Sequence, residues 1–263
     1  MSETQSKVRC EQRGAVGLLT IDRPKALNAL NVETLLQLES ALTELERDDS
    51  IRVVVVTGAG ERAFVAGGDI VDLDSRRGLE HYREFAEVIH RVFRRFELSD
   101  KPTIGAINGW ALGGGTELLL ALDIRLVAQE ARLGLPEITL GLFPGAGGSQ
   151  RLIRQIPLCR AKELMFVGEQ ISADEAVSLG LCNRAVPRAT LLDEALSVAG
   201  KIAQKSPLTL MLLKRTLRDG LEMPLPSALA FEQAMIGLVL DSDDAHEGCR
   251  AFLDKRPANF VGR

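Results

Sequence analysis

Ile107-Asn108-Gly109-Trp110-Ala111-Leu112-Gly113-Gly114-Gly115-Thr116-Glu117, followed by an apolar run to Leu122, is the stretch around which the chain is organised. Three consecutive glycines stand between an apolar, β-branched segment, Thr103 to Ile107, and a predicted helix. Glycine removes side-chain bulk, so a ligand can come close to the backbone. The first amides of the helix have no partner within it and lie at its positive end. A polarised carbonyl oxygen suits such amides. Glu117 follows Gly114 by three positions, about one helical turn, so an amide and a carboxylate can face one small volume.

Working outward, the 263 residues allow one large domain or two modest ones. A 46% hydrophobic content supports a sizeable core. Thirty-two Lys and Arg against 36 Asp and Glu give a net charge of −4, with no basic footprint for nucleic acid. An acidic substrate would have to be met by a local basic cluster. Cys10, Cys159, Cys182 and Cys249 are widely spaced, without a CxxC pair, so neither a zinc site nor a disulfide framework is expected. Buried free thiols in a reducing compartment are expected instead. Met1 to Lys7 is polar and lacks an apolar signal core. No run of 18 apolar residues occurs, so no membrane span is expected, and the expected location is the cytoplasm.

Val8–Gln12 and Val16–Thr20 flank Arg13-Gly14 and predict a β-hairpin. Asn31 is placed to cap a helix with the apolar stripe Val32, Leu35, Leu36, Leu38, Leu42 and Leu45. Val53 to Val56 predicts a strand buried on both faces. Helical spacing runs from Gly78 to Leu98 through Tyr82, Phe85, Ile89 and Phe96. Strands are predicted at 123–128 and 132–135, a short helical turn at Pro136-Glu137, and helices at 149–155, 159–166 and 172–179. Ser172 and Glu175 have the spacing of a capping box. From Leu191 onward the chain reads as helical, broken at Pro207, Gly220 and Pro224 to Pro226. The expected organisation is an αβ core over residues 1–200 and a C-terminal helical region over 201–263.

Gly58-Ala59-Gly60-Glu61-Arg62-Ala63 fits a loose dinucleotide pattern after the Val53 strand. More glycines and Phe64-Val65-Ala66 follow where a helix should begin, which favours a plain strand-exit turn. Ser149 lacks the final glycine of a nucleophile elbow and reads as a helix cap. His81, His90 and His246 show no metal or triad spacing. Glu117 is the sharpest polar signal, because a carboxylate within an apolar run needs a partner, a raised pKa or a cavity. Read alone it is equally a helix-start acid pairing with an exposed amide. Glu137, after Pro136, is a second carboxylate candidate, and read alone it is an ordinary first-turn acid.

Several motifs taken together resemble the crotonase, or enoyl-CoA hydratase/isomerase, superfamily. They are Arg23-Pro24-Lys25-Ala26-Leu27-Asn28-Ala29-Leu30, Ala63 to Ile70, Asn108 to Glu117, Pro136-Glu137 with Gly141 and Pro144 to Gly148, and Ala251 to Arg256. They occur in family order over nearly the whole chain. The resemblance implies an α/β fold, a crotonase-like spiral of ββα units with a C-terminal helical region for trimerisation, as homotrimer or homohexamer. It implies an oxyanion hole made by the backbone amides of Gly68 and Gly114, with Glu117 activating water and Glu137 delivering a proton. It further implies that Arg23, Lys25, Ala26, Leu27, Ala66, Asp69, Ile70 and Leu112 line the path of an acyl-CoA thioester, and that Phe252 and Lys255 reach a neighbouring subunit's ligand. Hydration of a trans-2-enoyl thioester, without metal or redox cofactor, is the activity it implies. The alternatives are double-bond isomerisation, hydration of a branched or aromatic acyl group, and a non-catalytic acyl-CoA-binding scaffold.

Overall fold

A computed structural model describes residues 6–263, so the reading of residues 1–5 lies outside it. The chain begins with the expected hairpin: β1 (Val8–Arg13) pairs antiparallel with β2 (Val16–Ile21). The helix α1 (Val32–Arg47) is capped by Asn31, whose side chain accepts from the Thr34 amide at 2.9 Å. Leu35, Leu38, Leu42 and Leu45 are buried as expected, whereas Leu36 is exposed. At 3.6 residues per turn Leu36 falls off the inward face.

The spiral comes from strands that alternate between two sheets. β3 (Val53–Gly58) enters the large sheet and β4 (Ala63–Val65) the small one. After α2 (Ile70–Asp74) and α3 (Glu87–Leu98), β5 (Thr103–Ile107) returns to the large sheet and β6 (Trp110–Leu112) to the small one. After α4 (Gly114–Leu119), β7 (Ile124–Ala128) and β8 (Arg132–Gly134) repeat the step. Like strands of successive turns pair in parallel, β3 with β5 with β7 and β4 with β6 with β8. Parallel neighbours need a crossover, which the helices supply. β3 and β5 are buried throughout, which explains their continuous apolar runs.

The chain then forms α5 (Gly148–Arg151), α6 (Leu158–Val167), β9 (Gln170–Ser172), α7 (Ala173–Ser178) and β10 (Arg184–Val186). Ser172 caps α7, accepting from the Glu175 amide at 3.2 Å. The expected cap at Ser149 is not formed, because α5 starts one residue earlier and its N-cap is Gly147 in a left-handed conformation. α8 (Arg188–Ala203) packs on the large sheet, and the expected division at residue 200 falls inside it. α9 (Pro207–Gly220), α10 (Leu225–Leu240) and α11 (Asp243–Leu253) complete the chain. Arg52 donates to the carbonyls of Ala203, at the end of α8, and Phe260, in the segment after α11.

The helical expectation for residues 78–98 needs one correction. His81–Ala86 is a π-helical turn before α3, and Tyr82 is exposed rather than part of an inward stripe. The wider turn rotates the register, so Tyr82 no longer shares a face with Ile89 and Phe96, which are buried. Among the described residues no helix is long and apolar enough to cross a membrane.

Candidate active site

Two loops, from successive turns of the spiral, supply the amides. Leu30 donates to the Gly67 carbonyl at 2.8 Å and accepts from the Asp69 amide at 2.8 Å, forming a parallel bridge to Gly68. In such a bridge the amide of the middle residue points to the opposite side. The Gly68 N–H therefore faces away from Leu30. On the other loop, Gly114 opens α4 as its first residue. Among the described residues neither the Gly68 nor the Gly114 amide donates to a backbone carbonyl. A methyl group built on Gly114 would lie 3.7 Å from both Gly67 C and Gly68 N, so the two loops run side by side with residue 114 against the Gly67–Gly68 peptide bond.

Thr116 fixes the start of α4, its hydroxyl sharing its one proton between the carbonyls of Ala111 at 2.6 Å and Gly134 at 2.9 Å. One residue on, Glu117 points inward and is 3% exposed. Its Oε1 accepts from two amides of the glycine-rich turn before α5, Ala146 at 2.7 Å and Gly148 at 2.8 Å. Its Oε2 accepts no hydrogen bond among the described residues. Burial pushes the Glu117 carboxyl above its usual range, opposed by those two amides and by the charge of Arg151.

Glu137 sits in a 3-10 turn, Pro136–Leu140, after β8. A methyl on Gly113 would lie 3.1 Å from Glu137 Oε1, which places this carboxyl directly over the glycine run. Both of its oxygens are closed off from solvent and have no hydrogen-bond partner. Desolvation, together with the like charge of Glu117, raises its pKa to about 7. Two buried carboxyl groups thus stand in one electrostatic environment, one held by donors and one without any. Burial raises the proton affinity of both, and only Glu117 has donors from other residues that oppose it.

The remaining expected residues fall into three groups. Arg23 pairs with Asp69, Nη2 to Oδ2 at 2.8 Å, and donates to the Ala29 carbonyl. Asp69 also caps α2 by accepting from the Val71 amide at 3.2 Å. Burial opposes ionisation of Asp69, but the Arg23 hydrogen bond and charge outweigh it and hold its carboxyl below the usual range. This ion pair fastens the Gly68 loop to the loop at residues 23–29, so Arg23 is committed within the protein while Lys25 is exposed. Ala26, Leu27, Ala66 and Leu112 are part-buried on the same two layers, and Ile70 is exposed. Phe252 and Lys255 are exposed at the end of α11 and just beyond it.

Some contributors were not foreseen. The amides of Ala146 and Gly148, and Arg151 behind them, were signalled only as a glycine cluster. Asn28 and Asn108 are buried; their side chains bond the loop after β3, Asn28 to the carbonyls of Ala59 and Ala63 and Asn108 to Gly58 N and the Gly60 carbonyl. With its peptide groups so occupied and β4 following, that loop is the strand-exit turn and not a dinucleotide cradle.

A ββα spiral that brings two loop amides and two buried carboxyls together defines a protein of the crotonase fold. The chain matches the enoyl-CoA hydratase/isomerase family over residues 11–263 and belongs to it. It is 41% identical over 251 residues to the short-chain-enoyl-CoA hydratase of Clostridium acetobutylicum, covering 95% of this chain and 96% of that one. It is 40% identical over 258 residues to the 2,3-dehydroadipyl-CoA hydratase of Escherichia coli, covering 98% of this chain and 100% of that one. Its fold superposes on an enoyl-CoA hydratase from Bacillus anthracis with a TM-score of 0.94 at 38% identity, covering 98% and 100% of the two chains.

Proposed function

We propose that the protein is an enoyl-CoA hydratase that adds water across a trans-2-enoyl-CoA thioester to give the 3-hydroxyacyl-CoA. The observation that carries this reading is the pair of buried carboxyls, Glu117 with one oxygen held by two amides and Glu137 with no donor from any other residue. The free oxygen of Glu117 takes a proton from water as the water oxygen bonds to C3. The C2=C3 electrons move toward the thioester, and the Gly68 and Gly114 amides receive the developing enolate oxygen. One such donor is worth about 3 kcal/mol of barrier. Glu137, protonated in part at neutral pH, returns a proton to C2. The cycle closes when Glu117 loses and Glu137 regains a proton through exchange with solvent. No metal or redox cofactor enters these steps.

Lys25 supplies exposed positive charge for the phosphates of the coenzyme A moiety. The working unit in this reading is a homotrimer, or a pair of trimers. α10 buries none of its residues within one chain although it carries Leu225, Leu229, Ile236, Leu238 and Leu240. An apolar helix left open in this way needs a covering surface. Four free cysteines fit a reducing, cytoplasmic setting, although only Cys182 is buried as expected and Cys10, Cys159 and Cys249 are exposed. The test is a panel of 2-enoyl-CoA and 3-enoyl-CoA thioesters, including a crotonyl and a dicarboxylic acyl group. Loss of the conjugated thioester absorbance on the 2-enoyl substrates is expected. Turnover of 3-enoyl substrates alone sinks the hydratase assignment.

A further inference from the structure

The carboxylate at the centre of the proposed chemistry is not held by α4 alone. Both amides on Glu117 Oε1 come from the turn 146–148, which has no side-chain cap and passes through Gly147 at φ +102°. Isolated glycine turns sample many conformations, and few of them direct two amides at one atom. Something outside the turn must select the observed one.

Arg151 is placed to do so. Its Nη1 donates to the Ala146 carbonyl at 3.2 Å. That carbonyl belongs to the peptide unit lying between the two units whose amides Glu117 receives. The guanidinium also approaches Gly147 end-on, where an added methyl would meet Nη1 at 2.0 Å. The remaining nitrogens fork onto Glu97 of α3, Nε to Oε1 at 3.3 Å and Nη2 to Oε2 at 3.0 Å. The Arg151 side chain is 14% exposed and that of Glu97 35%, so the guanidinium end of the pair is the shielded one. A planar, two-pronged contact of this kind fixes orientation as well as charge.

We propose that Arg151 and Glu97 are positioning residues, a clamp that holds the turn at 146–148 so that it immobilises one oxygen of Glu117 and leaves the other for water. The inference rests on the hydratase reading, since it concerns how the base of that reaction is aimed. Arg151 touches no reacting atom; it acts through the Ala146 and Gly148 amides. The charged groups around Glu117 are Glu137 from the turn after β8 and Arg151 from α5. Beyond Arg151 stand Glu97 and then Arg218 of α9. The positive charge of Arg151 favours the ionised form of Glu117, so its removal shifts loss of the base form to higher pH.

The experiment measures steady-state hydration of crotonyl-CoA across pH by the wild-type protein and by Arg151→Gln, Arg151→Lys and Glu97→Gln. For Arg151→Gln, kcat is expected to fall ~10–100-fold, as a displaced catalytic group does, with KM changed less than about twofold. The acidic limb of kcat/KM is expected to move to higher pH. Arg151→Lys restores the charge but not the fork, so it should return the limb while kcat stays low. Glu97→Gln should lower kcat with the limb in place. Wild-type kcat and limb in Arg151→Gln, or a loss expressed only as raised KM, overturns the proposal. If Arg151→Gln does not fold, a soluble Glu97→Gln with unchanged kcat overturns it equally. Absence of hydration by the wild-type protein would instead strike the functional reading beneath it.

Discussion

Glu137→Gln separates the stability of this site from its chemistry. The wild-type carboxyl has both oxygens buried and unpartnered, and its pKa is raised from 4.5 to about 7. A raised carboxylate pKa means that the folded protein binds a proton more tightly than the unfolded chain. Stability is therefore fully present below about pH 4.5 and declines as pH rises through about 7. The shift corresponds to about 3 kcal/mol at about 1.4 kcal/mol per unit. Because the residue as a whole is only part-buried, solvent screening reduces this to about 2 kcal/mol. Glutamine fills the same volume and does not titrate. Any fixed cost of burying its amide is the same at every pH, so the pH dependence of the difference is the quantity to read. Relative to wild type, the variant should gain about 2 kcal/mol between about pH 5 and about pH 8, a relative rise in Tm of ~4–8 °C for a chain of this size. Urea unfolding of both proteins at the two pH values, at one protomer concentration, measures it. A difference that is flat with pH, or of opposite sign, refutes the view that Glu137 is desolvated and unpaired.

Three further outcomes are expected. Glu117→Gln keeps an oxygen that can accept from Ala146 and Gly148, so the protein should fold while kcat falls ~100-fold or more through loss of the base; hydration at the wild-type rate would remove Glu117 from the mechanism. Gly115→Ala drives a methyl to 2.0 Å from the Val65 carbonyl and should cost about 3 kcal/mol of stability or prevent folding, whereas Gly114→Ala meets nothing closer than 3.7 Å and should keep its Tm while losing kcat; equal Tm losses in the two variants contradict this assignment. Lys25→Ala should raise KM for CoA thioesters several-fold with kcat unchanged, an effect that shrinks at high salt because exposed charges are screened beyond about 10 Å at 0.1 M; a salt-independent change points away from phosphate contact.

Glu117 was legible because a charge inside an apolar run is a local anomaly, and Asn31 and Ser172 were legible because capping is decided within a few residues. Glu137 stood out only through the ordered set of motifs, since nothing near Pro136 marks its side chain as unpartnered. The short strands β6, β9 and β10 each span three residues, too few for alternation to register. The π-helical turn at residues 81–86 escaped for a related reason, as one added residue per turn changes direction without changing composition. Arg23 and Asp69 each read as ligand contacts, yet they lie 46 positions apart and bind each other. The clamp of Arg151 on Glu97 spans 54 positions and depends on the packing of α3 against the turn before α5. Pairings at that separation follow from the fold and leave no local trace.

The glycine run shows how such constraints can be told apart. Gly113 has φ +51° and lies 3.1 Å, measured from where its methyl would be, from Glu137 Oε1. A side chain there is strained by the backbone and would displace the carboxyl. Gly115 is required by the spiral itself, because its turn presses against the Val65 carbonyl of the preceding one. Gly114 differs from both. Its φ is not left-handed, and its missing methyl would meet the backbone of Gly67 and Gly68 at 3.7 Å, an ordinary contact distance. Neither conformation nor packing within the chain therefore accounts for glycine at this position. A methyl there would stand against the Gly67–Gly68 peptide bond, 3.7 Å from both its carbon and its nitrogen. In the hydratase reading proposed above, the smallness of residue 114 serves the guest at the two amides and not the fold, which ties the run of three glycines to the two carboxyls beside it.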